Sequence, residues 1–137
     1  MNPEMKSLIQ TPSAPAGRGP FPQALAVGPF VFVSGQGPLL PDSNQPRRGE
    51  FAAQVRQTLA NVGAILGAAN LGLEHIVKVT VYLSDLANVP AFNDVYEQLI
   101  PEPRPARTLV QAGLRGIDVE VDVIAMDPAR LPQAGRS

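Results

Sequence analysis

The alternation Val119-Glu120-Val121-Asp122-Val123 does more than any other feature to limit what this chain can fold into. A period of two marks a strand with one buried face and one polar face. Asp118 continues the pattern backwards, so Asp118, Glu120 and Asp122 are expected on a single face at roughly 7 Å spacing. Like charges in a row repel, and such a face needs solvent, cations or a ligand. Upstream of the turn-like Gly113-Leu114-Arg115-Gly116 lies a second short strand. It offers Arg107, Leu109 and Gln111 on one face and Thr108, Val110 and Ala112 on the other. An arginine fork suits a ligand carboxylate, and a side-chain carboxylate nearby could handle protons. On periodicity alone, a solvated outer face with a surface arginine is the better account.

The rest of the chain supplies layers for these strands. Residues 6–10 read as a short edge strand and 11–22 as loop. Residues 24–27 and 30–34 read as strands joined by the turn dipeptide Gly28-Pro29, and 36–49 as a long Pro/Gly loop. Phe51, Val55, Leu59, Val62 and Leu66 form an apolar stripe that predicts a helix over 50–69, with Glu50 at its dipole-favoured start. Asn70 and Gly72 mark its stop. Residues 76–83 predict a strand with Val77, Val79, Val81 and Leu83 on one face and Ile76, Lys78, Thr80 and Tyr82 on the other. Asn88 is expected to cap a second helix reaching about residue 100, with Pro90 in its first turn. Pro101, Pro103 and Pro105 end it.

The order is thus β-β-β-α-β-α-β-β, which implies an α/β or α+β layer packing with both helices on one face of one sheet. The other face is expected to carry Lys78, Thr80, Tyr82, Arg107, Leu109, Gln111, Asp118, Glu120 and Asp122. That mixture is too polar for a core, yet Ile76, Tyr82 and Leu109 fit self-association better than free exposure.

At 137 residues a single domain is expected, with its core over about 6–126 and a tail over 127–137. The 15 prolines fall mostly between periodic segments and punctuate the fold. A net charge of -1 calls for no polyanionic partner, and Arg47-Arg48 is the one adjacent basic pair. With no cysteine, disulfides, thiolate metal sites and a cysteine nucleophile are excluded. No secretory signal or membrane span is visible, so a soluble, cytoplasmic protein is expected. His75 is the only histidine and has no partner for metal or triad chemistry. Ser34 lies in SGQG, which lacks the nucleophile-elbow pattern, and Gly35-Gln36-Gly37 is not followed by the third glycine of a dinucleotide loop.

Five motifs stand in order: Gly19-Pro20-Phe21-Pro22-Gln23-Ala24, Val33-Ser34-Gly35-Gln36, Phe92-Asn93-Asp94-Val95-Tyr96, Pro105-Ala106-Arg107 and Val119-Glu120-Val121. Together they resemble the RidA (YjgF) family, the reactive-intermediate imine deaminases, over residues 9–125. The resemblance implies an α+β, chorismate-mutase-like fold: a six-stranded mixed sheet backed by two helices on one face. It also implies homotrimers with sheets facing one another and three clefts between subunits. In that topology the last two strands need not pair.

The implied activity is hydrolysis of 2-imino acids to 2-oxo acids and ammonia, with no metal or cofactor. By the resemblance, Arg107 would clamp the substrate carboxylate with help from the Leu109 backbone N–H. Glu120 would hold the attacking water and pass a proton to the departing nitrogen. Phe21, Ser34, Gly35 and Asn93 would shape the pocket. Two positions depart from the pattern: Phe21 stands where the deaminases commonly have tyrosine, and Leu109 where they often have cysteine. Asp118 and Asp122 are kept as structural or interface residues. For Arg107 the structural alternative is a partnership with Asp118 or Asp122, and for Glu120 a place on a solvated acidic face. A non-catalytic carboxylate-binding or chaperone-like module is the functional alternative. A ribonuclease or translation inhibitor, also attached to this family, is disfavoured by the mild acidity and the absent basic stripe.

Overall fold

The computed structural model describes residues 5–131. It contains β1 (Ser7–Ile9), β2 (Ala24–Val27), β3 (Phe30–Gln36), α1 (Phe51–Gly67), β4 (Ile76–Leu83), α2 (Val89–Leu99), β5 (Ala106–Gln111) and β6 (Val119–Met126). The six strands form one mixed sheet in the order β1-β2-β3-β6-β4-β5. β6 lies between β3 and β4 and runs antiparallel to both. β5 pairs with β4 in parallel, which requires a crossover, and α2 provides it. The last two strands are therefore not a hairpin. The segment after residue 126 continues into a short 3-10 turn, Pro128–Arg130, and the remainder of the expected tail lies outside the described residues.

Both helices cover one face. Val55, Leu59, Val62, Ile65 and Leu66 of α1 and Phe92, Val95 and Tyr96 of α2 are buried with Val31, Val33, Val79, Val81, Leu83, Val119, Val121 and Val123 of the sheet. The apolar stripe of α1 and the valine alternation of β6 are thus the two sides of one core. Asn61 is buried as well. Its amide donates to the carbonyls of Gly37 and Leu39 at 3.0 and 2.9 Å, which ties the long loop after β3 down onto α1.

Several expectations change in detail. β3 runs two residues past Ser34 and carries a bulge: Val33 pairs with Val123 and Gln36 with Val121. Ser34 and Gly35 therefore share the single residue Asp122 as their opposite. A second irregularity lies between Ile76 and Lys78. It reverses the expected assignment, so Ile76 is buried and Val77 is 40% exposed. Glu50 and Asn88 occupy the N-cap positions of the two helices, but neither side chain caps.

The largest correction concerns the faces. Arg107, Leu109 and Gln111 pair with Val79, Val81 and Leu83, whose side chains enter the core. Directly paired residues point the same way, so these three lie on the helix-covered side rather than on the open face. Asp118 lies just before β6 and leaves the row of carboxylates. Its carboxylate accepts from Ser84 Oγ at 2.8 Å and from Gln54 Nε2 of α1 at 3.3 Å. The open face instead carries Glu120, Asp122, Tyr82, Thr80 and Lys78 beside exposed Leu8, Phe30 and Phe32.

Candidate active site

The candidate residues fall into two groups. The first gathers on the open face around the bulge of β3. The Glu120 carboxylate lies directly over Gly35, where a Cβ would come within 2.6 Å of Glu120 Oε2. Only a residue without a side chain leaves that carboxylate its place. Ser34 turns inward to the preceding loop. Its hydroxyl donates to the Pro22 carbonyl at 2.7 Å and its N–H to the Gln23 carbonyl at 2.9 Å. Phe21 sits at the crest of that loop, 50% exposed, with its N–H on the Gly19 carbonyl at 2.8 Å. A groove of about 900 Å³ opens beside its ring, lined by Lys6, Leu8, Pro12, Phe21 and Leu25 among others but by neither Glu120 nor Arg107.

Gln23, which the sequence offers only as a member of the first motif, holds this loop in shape. Its buried amide donates to the carbonyls of Thr11, Ala14 and Pro15 at 3.1, 3.3 and 2.9 Å and accepts from the Thr11 N–H at 2.7 Å. The signal available was its place between two prolines and a strand, where buried backbone groups need partners.

Burial, and then the negative charge of Asp122, push the Glu120 carboxyl above the ordinary glutamate range. A carboxylate raised in this way is a better proton acceptor.

The second group lies across the sheet. Arg107 Nη2 donates to Asn93 Oδ1 of α2 at 2.7 Å. The guanidinium carbon sits 4.9 Å from the Tyr96 ring centre and 5.5 Å from that of Phe92. Two aromatic faces and an amide thus fix the plane of the fork, with further N–H donors left over. Neither Asp118 nor Asp122 answers it, contrary to the structural alternative. Leu109 is partly buried against the core beside this group. Phe92 and Tyr96 flank Asn93 on α2, and their role as a floor under Arg107 was not foreseen.

Within one chain the two groups do not meet. Arg107 pairs with Val79 and Glu120 with Tyr82, which separates their backbones by roughly 14 Å, three residues along and two strands across. Their side chains also point to opposite faces.

The family model described as Endoribonuclease L-PSP matches residues 11–127. The chain belongs to this family, known also as RidA or YjgF. A bovine relative named 2-iminobutanoate/2-iminopropanoate deaminase is 37% identical over 92% of this chain and 93% of its own length. The crystal structure of RidA from an Antarctic Psychrobacter has a TM-score of 0.83 at 38% identity, covering 88% of this chain and 98% of that one. Escherichia coli TdcF, solved with bound serine, has a TM-score of 0.80 at 33% identity and covers 88% and 98%. The RidA sheet and helices are those described above, in the chorismate-mutase-like arrangement.

Proposed function

We propose that this chain hydrolyses 2-imino acids to 2-oxo acids and ammonia, at sites completed between copies in a homotrimer. The observation that carries this reading is the pair of complementary half-sites on opposite faces of one chain. One is a guanidinium fork held by Asn93, Phe92 and Tyr96, the other a half-buried carboxylate, and in this reading neither is sufficient alone. The deaminase name of the bovine relative and the serine in TdcF support a small carboxylate ligand.

In the proposed reaction, Arg107 of one copy takes the substrate carboxylate in a two-point contact, with its plane held by Asn93, Phe92 and Tyr96. The backbone N–H of Leu109 assists. The imine carbon then faces Glu120 of a neighbouring copy, with Phe21, Ser34 and Gly35 beside it. Water adds to that carbon as Glu120 accepts its proton. Glu120 passes that proton to nitrogen, giving a carbinolamine, then takes the proton of the new hydroxyl and delivers it to nitrogen too, so that the carbon–nitrogen bond breaks, ammonia leaves and the carbonyl forms. The imine is already electrophilic, so orientation and one proton-transfer group suffice. The mixed open face, with Phe30 and Phe32 exposed beside the carboxylates, fits burial against further copies.

Ammonia release from freshly generated 2-imino acids, with a trapping reagent as competitor, tests the activity. Sedimentation tests the assembly, with about three times the 14.5 kDa chain mass expected. A fully active monomer would overturn the shared site. Binding of 2-oxo acids without turnover would make the chain a binding module, and RNA decay under the same conditions would favour the ribonuclease description.

A further inference from the structure

Beside Glu120 on the open face lies a pair that the proposed reaction does not use. Tyr82 is the direct cross-strand partner of Glu120, and Thr80 that of Asp122. The Tyr82 hydroxyl reaches diagonally across the sheet and donates to Asp122 Oδ2 at 2.9 Å. That bond first, then burial and the charges of Asp122 and Glu120, raise the phenol above its ordinary range and keep it a donor. Asp122 is thereby tied down two residues from Glu120 on the same face of β6.

The charged surroundings are few. On β4, besides Tyr82, the one charged or titratable side chain on this side is Lys78, and its ammonium donates to the Val79 carbonyl and to the hydroxyls of Thr80 and Thr108 at 3.1, 3.4 and 3.2 Å. It makes no ion pair with either carboxylate among the described residues. β3 brings Ser34 and Gly35, and β5 brings Ala106, Thr108 and Val110, none of them charged. Asp122 is therefore the near charge that Glu120 meets within its own chain.

We infer that the Tyr82–Asp122 pair is a positioning device for Glu120, holding a fixed negative charge beside the carboxylate that moves the proton. This rests on the reading of Glu120 given above. A carboxylate next to a held anion keeps an accepted proton more readily, which suits a group that must take one from water and return it to nitrogen. Without the phenol, Asp122 could turn away and its influence would weaken.

The test follows the carboxyl carbon of Glu120 by carbon-13 NMR through an acid titration of the full chain, alongside the pH profile of ammonia release. Asp122→Asn should move the Glu120 midpoint, and the acid limb of the profile, to lower pH. Asp122→Glu, which keeps the charge, should restore both toward wild type, and Tyr82→Phe should give a shift of intermediate size. The loss in kcat should stay below about ten-fold, short of the ~10²–10⁴-fold contributed by a proton-transfer group itself. A Glu120 midpoint unmoved by Asp122→Asn overturns the inference, and one unmoved by Tyr82→Phe overturns the tether. Because the NMR midpoint does not depend on turnover, a moving midpoint in a chain that releases no ammonia would support the charge placement and count against the deaminase reading.

Discussion

The Glu120 carboxylate occupies the space that a side chain at Gly35 would need, with Oε2 2.6 Å from the position of a Cβ there. The bulge of β3 brings Gly35 to this point, because two residues of β3 stand opposite one of β6. The glycine serves the carboxylate rather than a turn.

Gly35→Ala is accordingly expected to fold and to displace Glu120, since the obstructed group is the free end of a flexible side chain. A shift of about 1 Å at a reacting group can cost on the order of 10²-fold in rate. Ammonia-release kinetics with a parallel thermal melt would check this, and full activity in the alanine variant would contradict it.

Glu120→Gln should bind 2-oxobutanoate as well as wild type or better, yet lose ~10²–10⁴-fold in turnover. It should also melt at a higher temperature near pH 7. The folded-state pKa of Glu120 is raised, so the folded chain binds its proton more tightly than the unfolded chain. The resulting penalty is fully present above the folded pKa, shrinks as pH falls through it, and vanishes below the unfolded value of about 4.3. Melting curves of both proteins across that range should converge at acid pH.

Arg107→Lys keeps the charge but loses the planar fork and its seat on Phe92, Tyr96 and Asn93. Arg107 is exposed in the single chain; in a cleft closed over it by a neighbouring copy, losing one side of the charge contact with the ligand typically costs ~2–5 kcal/mol, or roughly thirty-fold to a few thousand-fold in affinity. Calorimetry with 2-oxobutanoate reads this directly. Unchanged binding would place the carboxylate clamp elsewhere.

Gln23→Ala would strip partners from three backbone carbonyls and one N–H around a loop whose crest is Phe21. With ~1–3 kcal/mol for each buried group left unsatisfied and some relief by water, a loss of about 2–4 kcal/mol is expected. For a chain of this size that lowers Tm by roughly 5–15 °C. KM should rise as the Phe21 loop loosens, with kcat less affected. A variant with wild-type melting would show that the loop is held by other contacts.

The alternation at Val119–Val123 announced its strand because burial on a pleated surface repeats locally, and the α1 stripe was legible for the same reason. Which way Arg107 faces was not. That depends on how β5 registers against β4 after the α2 crossover, a tertiary fact with no local period. The bulges at Ser34-Gly35 and at Val77 were likewise hidden, since one extra residue reverses an alternation without changing composition. For the candidate site, the five motifs picked out the residues, while their division between two faces came only from the sheet.

The separation of Arg107 from Glu120 predicts how mixed assemblies should behave. In a closed ring, each shared site would take its fork from one copy and its base from the next, a head-to-tail contact. Chains carrying Arg107→Lys and chains carrying Glu120→Gln, each nearly inactive alone, would then rescue one another when unfolded together and reassembled. With random mixing in equal amounts, about one junction in four would receive both intact halves, so roughly a quarter of wild-type activity should return. A site contained within single chains would show no such complementation.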